Sequence, residues 1–84
     1  MKELLYFTQP SCVPCKKFGP LLEQELPEDV KLTKYSLGTN LAHTNMFMAY
    51  EVRSSPTLIL LKDDEQVNRH VGTLDVKGIA DFLG

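Results

Sequence analysis

The sequence has no apolar run that approaches the roughly 18 residues of a membrane-spanning helix. It also lacks a basic cluster, since no basic run is longer than Lys16-Lys17 and the formal net charge is -2. Phosphate binding needs a clustered basic surface, so this charge balance argues against a nucleic-acid partner. The first residues show no secretory signal pattern. We therefore expect a cytoplasmic protein that binds neither membranes nor nucleic acids.

The length of 84 residues leaves room for one small core. A chain of this size buries roughly 60% of the surface that it exposes when unfolded. Its 43% hydrophobic and 24% charged residues are ordinary for a globular domain. No repeat, linker or low-complexity stretch occurs, so we expect residues 1–84 to form one domain. We also expect this domain to be a monomer.

Cysteine is scarce: only Cys12 and Cys15 are present. A disulfide that closes so short a loop removes little chain entropy and therefore stabilises little. If these two sulfurs pair, chemistry is a better reason than stability.

Two other uses of Cys-x-x-Cys fit the sequence less well. A c-type haem site needs His directly after the second cysteine, and Lys16 stands there. Structural zinc needs four ligands, and the other candidates, His43 and His70, lie too far apart for the short spacing of zinc fingers. For each histidine, an exposed or locally hydrogen-bonded side chain is the simpler interpretation. A zinc or disulfide bridge between two chains stays open.

Hydrophobic patterning predicts elements in the order β-α-β-α-β-β-α. The nearly continuous apolar run from Glu3 to Thr8 is typical of a central strand that is buried on both faces. The following helix starts with Ser11 or Cys12 as its cap, bends at Pro20 and ends before Pro27. The remaining predicted elements are a strand over Val30–Leu37, a helix over Leu41–Tyr50 capped by Thr39 or Asn40, strands over Thr57–Lys62 and Gln66–Val71, and a last helix after Asp75.

The loose alternation of Val30–Leu37 predicts a strand with an irregularity in its register. Because a helix connects it to the first strand, we expect the two strands to be parallel, with a right-handed crossover.

The position of Cys12 suits a reactive thiol. A thiolate attacks disulfides whereas a thiol hardly does, so a working cysteine must lie where its charged form is favoured. The unpaired amides and the positive dipole end of a helix that begins here favour a thiolate on Cys12, with a weaker, screened contribution from Lys16 or Lys17. Cys15, one turn into the helix, is placed to attack a mixed disulfide that Cys12 forms.

Further motif spacing accompanies the cysteine pair. Cys12-Val13-Pro14-Cys15-Lys16 follows the first strand, with Pro20 five residues after the second cysteine. The segment Arg53–Lys62 carries Pro56 after the second helix, and Val71-Gly72 places its glycine sixteen residues after that proline. Together with the element order, these motifs resemble the thioredoxin family over essentially the whole chain. In glutaredoxins, the glycine pair of the glutathione site comes much sooner after the proline.

The resemblance implies an α/β, thioredoxin-like fold with a four-stranded mixed sheet in the order 2-1-3-4, flanked by three helices. The chain begins where thioredoxins have their second strand, so we expect the first strand and helix of the family to be absent. The implied activity is thiol-disulfide exchange that reduces protein disulfides, with Cys12 as the nucleophile and Cys15 as the resolving thiol. The redox-active disulfide would serve without a further cofactor or metal. Electrons would come from a donor resembling thioredoxin reductase.

The resemblance also implies a substrate-binding surface. A trans peptide bond would be the ordinary expectation before Pro56, because about 5% of such bonds in folded proteins are cis. In the family the matching proline is cis and lies against the cysteines, and the preceding residue, here Ser55, pairs by its backbone with an extended substrate segment. Val13, Pro14 and Gly72 complete the expected substrate-binding set.

The sequence departs from the family at three places. Ser11 stands where thioredoxins usually have Trp, and Val13-Pro14 stands where they have Gly-Pro. The buried carboxylate of the family is replaced by Tyr6, so either water, Tyr6 or Lys34 assists deprotonation of Cys15, or resolution of the mixed disulfide is slower. Plain packing is the simpler role for a tyrosine in a strand.

Two alternatives to a thioredoxin-type reductase are a glutathione-linked, glutaredoxin-like enzyme and a non-enzymatic binding module of the same fold. Such a module would dock a partner through the Ser55 edge or through Met46-Phe47-Met48, although core or edge packing is the simpler interpretation of this cluster.

Overall fold

The computed structural model describes residues 1–84. Each predicted helix and strand is present, and its observed bounds lie within one residue of the predicted ones. No helix has the length and apolar composition that crossing a membrane would require. The elements in chain order are β1 Lys2–Thr8, α1 Val13–Glu25, β2 Val30–Ser36, α2 Leu41–Ala49, β3 Thr57–Lys62, β4 Glu65–Val71 and α3 Val76–Leu83.

The four strands form one mixed sheet in the order β2-β1-β3-β4. Strand β2 runs parallel to β1, which confirms the predicted parallel connection through α1. Strand β3 is antiparallel to both β1 and β4. The architecture is therefore the predicted thioredoxin-like one.

The predicted register irregularity in Val30–Leu37 is wrong. β1 and β2 pair without interruption from Lys2–Val30 to Thr8–Ser36. The register shift lies instead between Leu60 and Leu61, where β3 pairs with β4 close to the hairpin turn. The weak alternation of β2 has another cause: this strand lies at the sheet edge, where most of its side chains are only partly buried, so its hydrophobic pattern does not report its register.

The core has two halves, one on each face of the sheet. Alternate residues of β1 point to opposite faces, so its continuous apolar run serves both, as predicted. One half joins the sheet to α1 and α3 and contains Leu4, Tyr6, Phe18, Leu22, Val30, Leu58, Leu60, Ile79, Phe82 and Leu83. The other half joins it to α2 and the segment that follows, and contains Leu5, Phe7, Phe47, Val52, Ile59 and Leu61.

Each helix begins at a side-chain cap. Cys12 caps α1, Asn40 caps α2 through Oδ1, which accepts the His43 N–H at 2.9 Å, and Asp75 caps α3 through Oδ1, which accepts the Gly78 N–H at 2.7 Å. These caps satisfy amides that no helical carbonyl can reach. Of the alternatives open from sequence, the structure selects Cys12 over Ser11 and Asn40 over Thr39.

Arg69 of β4 holds the end of α2 in place. Its Nη1 donates to the carbonyl oxygen of Tyr50 at 2.6 Å, and its Nη2 donates to that of Glu51 at 2.8 Å. Glu51 has a φ of 54°, in the left-handed region that non-glycine residues seldom adopt. The guanidinium thus fixes the chain just before the segment that leads to Pro56.

We predict that Arg69→Met lowers the free energy of unfolding by about 1 kcal/mol, because two hydrogen bonds to carbonyl groups are lost at an exposed site. Urea denaturation followed by circular dichroism measures the change. Lys77→Met is the matched control, since it also exchanges an exposed cation for Met but no hydrogen bond of the Lys77 side chain is present. Equal unfolding midpoints for the two variants would contradict this role of Arg69.

Candidate active site

The two cysteines form a disulfide at the start of α1, with a Cα–Cα distance of 5.3 Å. Cys12 is the N-cap in an extended conformation, and Cys15 lies in the first helical turn. The backbone N–H of Cys15 donates to Sγ of Cys12 at 3.3 Å. The sulfur therefore takes the place that a serine or aspartate oxygen holds at other helix starts.

Helix position distinguishes the two sulfurs more clearly than exposure does. Both residues are buried, with relative exposures of 5% for Cys12 and 6% for Cys15. Only Cys12 accepts a first-turn amide, and no acidic side chain lies in that turn. A negative charge on Cys12 therefore meets a donor and the positive end of the helix dipole. Lys16 and Lys17 are exposed, so solvent screens their contribution.

A cavity of about 380 Å³ lies between α1 and the carboxyl ends of β1 and β2, and both cysteines line it. Its titratable lining side chains, apart from the cysteines, are Tyr6, Lys16, Glu23 and Lys34. Tyr6 and Lys34 are direct partners in the β1–β2 ladder. The two residues that the sequence offered as helpers of Cys15 thus share one cavity with it.

Tyr6 packs in the core and also reaches the cysteine motif. Its side chain is 2% exposed, and its ring meets that of Phe18 edge to face at 5.8 Å between centroids. Its hydroxyl donates to the carbonyl oxygen of Cys15 at 3.4 Å. Burial raises the pKa of Tyr6 above the ordinary value of about 10, and the charge of Glu23 adds to this. The phenol is therefore neutral and acts as a donor.

The second half of the site lies on β3 and β4. The Ser55-Pro56 peptide bond is cis, as the family resemblance implied. Gly72 has a φ of 105°, which suits glycine, and its N–H donates to the Pro56 carbonyl oxygen at 2.8 Å. Phe7, near the carboxyl end of β1, pairs with Thr57, and Thr57 pairs with Val71. Pro56 and Gly72, which are next to Thr57 and Val71 in sequence, therefore lie at the same end of the sheet as the cysteine motif that follows β1.

Ser55 offers free backbone groups at this end of the sheet. It is half-buried, and neither its N–H nor its carbonyl group makes a hydrogen bond within the chain. Val13 is 71% exposed, and Pro14 is exposed beside it. The expected substrate-binding residues are therefore accessible, with Pro56 as the buried exception.

A groove of about 270 Å³ separates α1 from the loop after β4. Pro14 and Lys17 line one side, and Thr73 and Leu74 line the other. Sequence reasoning missed Thr73 and Leu74, because loop residues carry no periodic pattern. Gly72 was the only signal that this loop approaches the motif.

The histidines do not join the cysteines. His43 Nδ1 accepts the Ser36 N–H at 2.9 Å, and His70 Nε2 lies 3.3 Å from the Thr73 carbonyl oxygen, which confirms their local hydrogen bonding. No group of three or more His, Cys, Asp or Glu residues is arranged to hold a metal ion.

The three residues of the cluster Met46-Phe47-Met48 differ in their burial. Phe47 packs against Phe7 with ring centroids 5.0 Å apart, which confirms the packing interpretation for that residue. Met46 is partly buried against the same half of the core, while Met48 is 72% exposed.

Comparison with known proteins decides the family. The family model described as Thioredoxin matches residues 1–84. Thioredoxin of Haemophilus influenzae is 39% identical over 83 residues, which cover 95% of this chain and 75% of that protein. The chain belongs to the thioredoxin family. Thioredoxin of Bacillus subtilis is also 39% identical, over 79% of this chain and 64% of that protein.

Solved thioredoxin structures share the fold. A single-residue mutant of the thioredoxin of Halobacterium salinarum matches with a TM-score of 0.85 and 31% identity, over 98% of this chain and 71% of that one. Thioredoxin of Fasciola hepatica matches with a TM-score of 0.82 and 25% identity, over 98% of this chain and 77% of that one.

Membership of the thioredoxin family and the paired cysteines support dithiol oxidoreductase function of the thioredoxin type, as a protein-disulfide reductase. These matches favour the thioredoxin type over the glutaredoxin-like alternative. In general terms, the family implies disulfide-bonded protein substrates and thioredoxin reductase as partners.

Ionisation of Tyr6 provides a test of the geometry behind the motif. Because its pKa is raised, the folded protein keeps a proton that the unfolded chain loses near pH 10. The stability from neutral Tyr6 is therefore fully present below pH 10 and is lost as pH rises through the folded-state pKa. The phenolate absorbance at 295 nm is measured against pH for the unaltered protein and for Tyr6→Phe. We predict that the difference between the two proteins, which reports Tyr6 alone, develops only above pH 10. A difference titration centred at or below pH 10 would contradict the buried, neutral phenol.

Proposed function

We propose that the protein reduces protein disulfides with Cys12 as the attacking thiolate and Cys15 as the resolving thiol. The hydrogen bond from the Cys15 N–H to Cys12 Sγ supports this assignment most directly, because the same donor would stabilise a negative charge on Cys12 in the reduced protein. Cys15 Sγ has no such donor.

The reaction proceeds in two exchanges. The Cys12 thiolate attacks one sulfur of the substrate disulfide, so the substrate S–S bond breaks, a mixed disulfide forms and one substrate thiolate leaves. Cys15 then loses its proton and attacks Cys12 Sγ, which forms the intramolecular disulfide and releases the second substrate thiolate. The substrate gains two electrons and two protons overall, and the cysteine pair is oxidised.

Tyr6 and Lys34 contribute to the second exchange, in which Cys15 attacks the mixed disulfide. The Tyr6 hydroxyl is neutral and fixes the Cys15 backbone, so it positions the resolving cysteine rather than accepting its proton. The exposed Lys34 ammonium lines the same cavity and favours a thiolate there. We propose that Lys34 and cavity water together assist deprotonation of Cys15.

The surface around the cysteine motif would bind the substrate. An extended substrate segment would pair with the free N–H and carbonyl group of Ser55, in the manner of strand addition. The hydrogen bond from the Gly72 N–H to the Pro56 carbonyl oxygen holds this backbone in position. Val13 and Pro14 would contact the residues that flank the substrate disulfide.

The remaining parts of the proposal concern the setting. Residues 1–84 would act as one monomeric domain without a metal or further cofactor, because the Cys12-Cys15 pair itself carries the electrons. A donor of the thioredoxin reductase type would regenerate the dithiol. A cytoplasmic location suits this cycle, since that compartment supplies reducing equivalents.

We predict opposite behaviour for the two cysteine variants. Cys12→Ser should lose at least about 10³-fold of the rate of disulfide reduction, because the attacking thiol is gone. Cys15→Ser should accumulate a covalent adduct with a disulfide-bonded protein such as insulin, because the mixed disulfide cannot be resolved. Mass spectrometry under non-reducing conditions detects the adduct.

Ser11→Ala is the matched control, because it removes a neighbouring side-chain hydroxyl without touching either sulfur. It should reduce the substrate at the rate of the unaltered protein and form no lasting adduct. An adduct on Cys15 of Cys12→Ser, with none on Cys12 of Cys15→Ser, would reverse the proposed roles.

A further inference from the structure

Charged side chains are distributed unevenly along the molecule. The end that carries the motif holds exposed cations on three segments: Lys16 and Lys17 on α1, Lys34 on β2, and Arg53 in the segment before Pro56. None of the four makes an ion pair. The single ion pair of the protein joins the Met1 amino group to Asp63, at the far end of β1.

The four cations border the site from different sides. Lys16 and Lys34 line the cavity behind the cysteines, and Lys17 lines the groove beside Pro14. Arg53, two residues before Ser55, lines a third depression of about 430 Å³ together with Leu37 and residues of α2. A partner that reaches the disulfide therefore approaches positive charge on each of these sides.

Carboxylates at this end are fewer and partly engaged. Glu23 lines the first cavity and Glu51 lines the third depression. The Asp75 carboxylate is occupied as the cap of α3. Arg69 adds a further exposed cation, although its guanidinium donates to two backbone carbonyl groups.

The opposite end of the sheet is acidic. Lys2 pairs with both Val30 and Lys62, so the turn before β2 and the turn after β3 lie side by side. The carboxylates on and beside these two turns are Glu25, Glu28, Asp29, Asp63, Asp64 and Glu65. The cations there are the Met1 amino group, Lys2, Lys31 and Lys62, and the first of these is paired with Asp63. Although the net charge is only -2, the charges are separated: the end of the molecule at the motif is basic and the opposite end is acidic.

We propose that the surface around the motif selects acidic protein segments: disulfide-bonded partners whose residues next to the disulfide are rich in Asp and Glu. This inference rests on the proposed function, because the partner must bring its disulfide to Cys12. Nucleic acid is disfavoured as the occupant, since it has no disulfide to offer and the cations are interspersed with Glu23 and Glu51.

The expected effect is on the rate of encounter. Charges that surround a site raise the association rate of an oppositely charged partner, and salt screens this attraction over about 10 Å at 0.1 M. Individual exposed ion pairs contribute little to affinity, so the preference should be strong at low salt and weak at high salt.

The experiment compares two synthetic peptides that share one disulfide loop, flanked by three Glu in one and three Lys in the other. The reduced protein is mixed with each, and the second-order rate constant is measured at about 20 mM and about 300 mM salt. We expect the acidic peptide to react about tenfold faster than the basic one at low salt and less than about threefold faster at high salt. Equal rate constants at low salt would overturn the inference.

A pair of double variants locates the effect. Lys17→Gln/Arg53→Gln removes two cations beside the site, whereas Lys31→Gln/Lys62→Gln removes two at the acidic end and changes the net charge equally. Each rate constant is divided by that variant's own rate with the neutral bis(2-hydroxyethyl) disulfide. The acidic-to-basic ratio should fall at least about threefold in the first variant and stay unchanged in the second. Equal falls in both would overturn the proposal.

The neutral disulfide separates this inference from the function on which it rests. Reduction of the neutral disulfide without any preference between the peptides overturns the acidic-partner proposal and leaves the reductase intact. Failure to reduce the neutral disulfide and both peptides overturns the reductase proposal itself, and the acidic-partner proposal with it.

Discussion

The hydrogen bond from the Cys15 amide to Cys12 Sγ joins the chemistry of this protein to its fold. It exists only if α1 begins at Val13, because a cap accepts the amides of the first helical turn. That start is fixed in turn by packing: Phe18 and Leu22 bury α1 against the β1 core face. A change that shifts α1 on the sheet therefore shifts a reacting sulfur and its donor together.

Much of this arrangement could be predicted because it is local in the sequence. The run from Glu3 to Thr8 indicates a strand buried on both faces, and Asn40 and Asp75 indicate the helices that they cap. The rest depends on contacts between distant residues. Arg69 of β4 donates to the carbonyl groups of Tyr50 and Glu51 at the end of α2, and such a contact leaves no periodic signal in either segment.

In the candidate site, too, residues with a local sequence pattern could be predicted, and residues placed there by contacts between distant segments could not. The cysteines are recognisable from their spacing, Pro56 from its place after the second helix, and Gly72 from its position sixteen residues after that proline. Thr73 and Leu74 face α1 only because the β3–β4 hairpin returns the chain to the motif. The charge asymmetry is likewise invisible in the net charge, since it emerges when two acidic turns that are far apart in sequence become neighbours at one end of the sheet.

The central claim is that Cys12 and Cys15 act as one redox pair, and the most direct measurement is its redox equilibrium. The protein is equilibrated in graded dithiothreitol buffers and quenched with an alkylating agent, and modified cysteines are counted by mass. A single two-electron transition at a strongly reducing potential, with both cysteines modified or neither, is the expected result. Absence of an intramolecular pair at every potential would contradict the account and favour binding of a metal or a partner.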